Sequence, residues 1–180
     1  MEIPLKKRIF AATKNTQIAA NNTMKRHGIR LFGLLRLVWR ARRPSQVNDM
    51  PALPGGFWLK RGYDALTFFG TIITDSVSEA ESMNGRLTAM KNHEMIHLKQ
   101  AVATGDSWWR FYRLYLRYWF QGWLHRKRYP SAAYRLNPFE MEAYEHMNNL
   151  HYLDHCTDGA TDWKRFANMS VEERYKYKNN

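Results

Sequence analysis

The chain has 180 residues, a formal net charge of +12 and a single cysteine. That length supports one domain of ordinary size plus an appendage, and one cysteine excludes an internal disulfide framework. No run of 18 uninterrupted apolar residues occurs, which excludes a helical membrane span, and the order of charges over the first 30 positions does not fit a secretory signal.

The charge is concentrated at the start. Residues 1–48 hold 11 Lys or Arg against Glu2 alone, whereas residues 49–180 hold 17 bases and 15 acids, so the basic character belongs to an N-terminal arm. Within the arm, the stretch from Ile29 to Arg43 interleaves apolar residues with Arg30, Arg36, Arg40, Arg42 and Arg43. That pattern suits an anionic partner: nucleic acid, a lipid surface or an acidic protein. Pro44, Pro51, Pro54, Gly55, Gly56 and Gly62 then mark a linker. The expected division is a basic arm and linker over 1–62, a compact domain over 63–168, and a polar tail over 169–180 that frays if nothing holds it.

Ala65 to Ile73 is rich in β-branched and aromatic residues and reads as one strand, with Gly70 weakening it or marking a bulge. It is either a core strand or an edge along which an extended peptide can lie. After the Asn84-Gly85 turn signal, Leu87, Met90, Ile96 and Leu98 recur at near-helical spacing, predicting a helix that stops near Thr104-Gly105-Asp106. This helix carries His93-Glu94-Met95-Ile96-His97. Histidines four apart share one helical face and can grip one metal ion, while Glu94 beside them is placed to move a proton between water and a leaving amine. The plainer reading is a surface helix with two solvated histidines.

From Ser107 to Leu124 there are nine aromatic residues in eighteen positions, with Arg110, Arg113 and Arg117 able to share a face. So wide an aromatic surface implies a helix buried on several sides with an arginine stripe to water, or else a membrane-interface or protein contact. Asn137-Pro138 then provides an N-cap and a first helical position, opening a helix whose first turns carry Glu140 and Glu142. These two point about 200° apart, so only one can serve as a third ligand beside His93 and His97. Tyr144 and His146, one and two turns beyond Glu140, are candidates to donate a hydrogen bond to a developing oxyanion. His151 and His155, with Asp154 and Cys156, form a second set with metal-compatible spacing.

The His93-Glu94-Met-Ile-His97 motif, followed by Phe139-Glu-Met-Glu-Ala-Tyr144, resembles the gluzincin zinc metallopeptidases. Together with Ala65-Leu-Thr-Phe-Phe69 and Ala133-Tyr-Arg135, it is similar to small zinc-peptidase-like proteins of bacteria and phages. The likeness covers roughly residues 55–155 and is specific at the two helices. It implies a mainly helical α+β, zincin-like minimal domain with a small β-sheet. Zinc would be held by His93, His97 and Glu140, Glu94 would act as general base, and Glu142 would be a supporting or surface carboxylate. The substrate would be a peptide or protein. The alternative is a docking component of a large assembly, such as a phage virion, that retains the fold and uses its basic arm. The expected location is accordingly the cytoplasm or such an assembly.

Overall fold

The computed structural model describes residues 31–55 and 64–179. Residues 1–30, with Arg30 and most of the arm, and residues 56–63 of the linker lie outside the described residues. The chain is mainly helical, with a three-stranded mixed sheet: an α+β fold, as expected.

The described part opens with α1 (Leu31–Arg40), followed by a 3₁₀ turn at Pro44–Gln46 and strand β1 (Ala52–Pro54). Arg36, Arg40, Arg42 and Arg43 are all exposed, while Val38 packs against the main core. The linker reading is corrected here. Met50 and Ala52 belong to the core cluster, and β1 pairs in parallel with β3. Lys91 Nζ ties this segment down, donating to Met50 O at 2.9 Å and pairing with Asp49 at 2.7 Å. The proline-rich composition reflects a short segment making tertiary pairings that local sequence does not announce.

The single strand expected over 65–73 is a hairpin instead. Strands β2 (Ala65–Phe68) and β3 (Thr71–Thr74) run antiparallel, joined by Phe69 and Gly70 at φ values of 47° and 82°. Two consecutive positive φ angles make a tight primed turn whose twist matches the strands it joins. Gly70 takes this conformation freely. Phe69 takes it because its ring is packed about 5.0 Å from both Trp109 and Tyr112. Sheet order is β1-β3-β2, so β3 is central and wholly buried, and β2 is an edge.

Helix α2 (Val77–Gly85), capped by Ser76, leads to α3 (Ala89–Ala103), which Thr88 caps by accepting from Lys91 N. The helix starts a few residues later than the turn signal implied, and Leu87 is exposed ahead of the cap. Gly105, in the left-handed region at φ 97°, follows its end. Helix α3 is buried on several sides, with Lys91, Asn92, His93, Glu94, His97 and Gln100 all inside. A helix carrying that many buried polar groups needs partners around it, and β2, α4 (Trp108–Leu124) and α6 (Pro138–His146) pack against it.

Between α4 and α6 lies the short α5 (Ala132–Arg135). A Cβ on Gly122 of α4 would sit 2.5 Å from Ala132 O and 2.7 Å from Ala133 Cα, so glycine permits this approach. Asn92 binds α6 to α3, its Nδ2 donating to the carbonyls of His146, Met147 and Asn149 at 3.0–3.3 Å. The chain closes with α7 (Trp163–Ala167) and α8 (Val171–Asn179). The polar tail is therefore a helix, anchored by buried Val171 and by buried Arg174, which donates to Leu136 O.

Candidate metal centre

Two helices bring the site together. α3 presents His93 and His97 one turn apart, and α6 presents Glu140 in its first turn, where Asn137 Oδ1 caps the helix by accepting from Phe139 N. Glu140 Oε2 lies 3.3 Å from His93 Nε2, and Glu140 Oε1 lies 3.4 Å from His97 Nε2. The donor atoms of all three lie within 4.8 Å of one another, and the three side chains are buried. Among the described residues this is the one such group of three or more His, Cys, Asp or Glu side chains. It can hold a metal ion.

The electrostatics fit that use. Burial by itself would raise the Glu140 carboxyl, but the facing imidazoles of His97 and His93 outweigh it and hold the group well below the usual carboxylate range. His97 shows the reverse balance. Burial lowers it, yet the charge and hydrogen bond of Glu140, aided by Glu94, push it up to about 9. Glu140 Oε2 is buried without a well-formed hydrogen bond. A buried carboxylate oxygen normally has a partner, and a cation between it and the two imidazoles satisfies it.

A supporting layer orients these donors. His97 Nδ1 bonds Gln100 Oε1 at 2.8 Å, which directs Nε2 toward Glu140. Gln100 is itself aimed by its Nε2, which donates to Phe139 O at 2.9 Å and to Glu142 Oε2 at 2.7 Å. Glu142 also accepts from Tyr152 OH and Asp162 N. The second carboxylate of α6 is thus a fully buried support on the opposite side of the helix from the candidate ligand. Tyr115 OH donates to Glu140 Oε1 at 2.7 Å. Gln100 and Tyr115 carried no assigned role in the sequence reading. Gln100 was findable, because it sits three residues from His97 on the same side, whereas Tyr115 comes from a distant helix with no sequence signal.

The triad forms part of the wall of a cleft of ≈ 530 Å³, shared with Glu94, β2 and the aromatic side of α4. Glu94 Oε2 accepts from Thr67 Oγ1 at 2.6 Å, which fixes the carboxylate against the edge strand. Backbone alternation turns the N–H and C=O of residues 65 and 67 away from β3, and among the described residues no strand pairs there. Part of that edge is occupied: Tyr112 OH donates to Thr67 O at 3.2 Å and accepts from Phe69 N at 3.0 Å.

Tyr134, which also lines the cleft, bonds through its hydroxyl to Tyr144 OH at 3.0 Å and to Glu140. Burial and the Glu140 charge push its phenol far up, so it keeps its proton. Of the two oxyanion candidates, Tyr144 packs its ring 4.6 Å from His93. His146 is stacked on Tyr152 and paired with Asp162 at 2.9 Å, and it is not among the residues lining the cleft. His151 pairs with Asp154 on the surface, His155 is exposed and Cys156 is buried, so the second candidate set does not converge.

No protein-family model, curated protein or solved structure matches the chain.

Proposed function

We propose that the protein is a zinc-dependent peptidase of gluzincin type, with His93, His97 and Glu140 as metal ligands and Glu94 as general base. The observation that carries this reading is the convergence of two imidazoles and one carboxylate at a cleft that also exposes a second carboxylate and an edge strand. Two imidazoles and one carboxylate leave a fourth position open, the composition suited to catalytic zinc rather than to a closed structural site. Zinc bound there would supply Lewis acidity.

The chain's own residues do the rest. Glu94, held by Thr67, takes a proton from the attacking water as oxygen adds to the scissile carbonyl, then delivers it to the amine nitrogen as the C–N bond breaks. Tyr134, still protonated at neutral pH, would turn its hydroxyl from Glu140 to donate to the carbonyl oxygen as negative charge develops on it. Ala65 and the N–H of Thr67 on the outward edge of β2, short of the part that Tyr112 occupies, offer backbone pairing to an extended peptide.

The test has two arms. Purified protein should contain about one zinc per chain, and Glu140→Ala should lose most of it. Glu94→Gln should retain the zinc and lose hydrolysis of a peptide library by about 100-fold or more. Unchanged zinc in Glu140→Ala would remove Glu140 as a ligand; unchanged hydrolysis in Glu94→Gln would remove Glu94 as the base.

A further inference from the structure

Helix α4 has two aromatic faces; the core takes one, and the other stays largely outside, with Trp109 resting one side against Phe69 of the hairpin. Trp108, Phe111 and Gly122 are buried, with Tyr115 and Tyr118 packed beside them against Phe139. On the other side, Trp109, Leu116, Phe120 and Leu124 are 68%, 61%, 52% and 57% exposed. At 100° per residue these four fall within about 80° of one another, forming a ridge about 22 Å long. Arg110, Arg113 and Arg117, all exposed, run along one flank. The cleft lies along the other, since Trp109, Leu116 and Trp119 also line it.

Charge decides what can cover this ridge. Residues 107–139 contain seven Lys or Arg and no Asp or Glu. A second copy would bring the same positive charge to the contact. Residues 1–30, with seven bases and one acid, are equally unsuited to cover it. A nucleic acid matches the charge but offers no hydrocarbon in which to bury Leu116 and Leu124. A convex ridge of Trp, Phe and Leu beside arginines matches a surface that is anionic in its outer layer and apolar just beneath. We propose that the exposed face of α4 docks on an anionic lipid bilayer, with Phe120, Leu116 and Trp109 entering the headgroup boundary and Arg113 and Arg117 meeting lipid phosphates.

Docking in this orientation brings the cleft's mouth to the headgroups. Resting on the hydrolytic reading above, the substrate is then a peptide segment lying at the membrane surface. The docking itself does not need that reading.

The experiment uses the full chain with vesicles of neutral phosphatidylcholine and of the same lipid with about one-third phosphatidylglycerol, at roughly physiological salt, read by flotation and by tryptophan quenching from lipids brominated on their acyl chains. The wild type is expected to bind the anionic vesicles and to be quenched. Leu116→Glu/Phe120→Glu, at exposed positions, should weaken binding by about tenfold or more and abolish most quenching. Arg113→Glu/Arg117→Glu should lose the preference for anionic over neutral vesicles. Glu140→Ala should bind as the wild type does, so that failure of the metal reading leaves docking intact. Binding and quenching unchanged in the Leu116/Phe120 variant would assign lipid contact to the basic arm and overturn the proposal. So would a wild type that ignores vesicles but forms a dimer, or binds single-stranded DNA, through this face.

Discussion

Gln100→Leu isolates the layer behind the candidate ligands. Leucine has nearly the same length, so the change removes hydrogen bonds with little change in volume. Three interactions go together: the acceptor for His97 Nδ1, the donor to Phe139 O and the donor to Glu142 Oε2. Tyr152 OH and Asp162 N both reach Glu142 Oε1, so the atoms left without a described partner are the His97 ring nitrogen and Glu142 Oε2, both buried. The Phe139 carbonyl keeps its place in the helical ladder. At about 1–3 kcal/mol for each orphaned buried group, and more for a charged one, the metal-free fold should lose about 2–6 kcal/mol or more. Zinc affinity should fall about 10- to 100-fold, because nothing then directs His97 Nε2 toward Glu140. Urea unfolding in excess chelator, followed by tryptophan fluorescence, measures the first quantity. Competition with a chromophoric chelator on the folded variant measures the second. Zinc affinity within about twofold of wild type in protein shown to be folded would refute the positioning role of Gln100.

The remaining predictions are shorter. In metal-free protein, His97 is raised from 6.5 to about 9, so the stability from its pairing with Glu140 is fully present below pH 6.5 and is lost as pH rises through about 9. Glu140 is lowered from 4.5, so the same pairing is also lost in acid, as pH falls below that value and toward the depressed one. The metal-free melting temperature should therefore fall between pH 6.5 and 9, whereas zinc affinity should rise over that interval because the metal displaces the His97 proton; a metal-free melting temperature that climbs through this window would contradict the pairing. Thr67→Val removes the donor that holds Glu94 and should lower the hydrolytic rate constant about tenfold with zinc content unchanged; an unaltered rate would show that Glu94 needs no support from β2. Gly122→Val puts side-chain atoms into the backbone of Ala132 and Ala133 and should cost more than about 2 kcal/mol in denaturant unfolding, whereas a neutral result would mean that α4 and α5 separate easily.

The parts legible in advance were those written in local chemistry. Thr88 and Gly105 bracket the motif helix near the expected limits, and Asn137-Pro138 starts α6 as an N-cap and first helical residue should. The 200° separation of Glu140 and Glu142 is likewise a local property, and it survives as two carboxylates with different surroundings. Helix α3 lacks an amphipathic pattern because its polar residues are buried, so periodicity gave only partial support for it.

Other features had no local signature. The hairpin at Phe69-Gly70 was misread because an aromatic residue at positive φ is tolerated only where neighbouring rings hold it, and Trp109 and Tyr112 lie some 40 residues away. β1 was hidden among prolines because its pairing partner, β3, is distant in sequence. Capping, turn chemistry and ligand spacing are set by neighbouring residues, so the sequence by itself determined the two helices and the His93/His97 pair. Spacing left Glu140 and Glu142 open as third donor, and only the resemblance favoured Glu140. Burial and partnership depend on what other segments bring. Only the tertiary structure decided that the donors converge in a cleft beside an edge strand, and that one aromatic face of α4 is left outside the core.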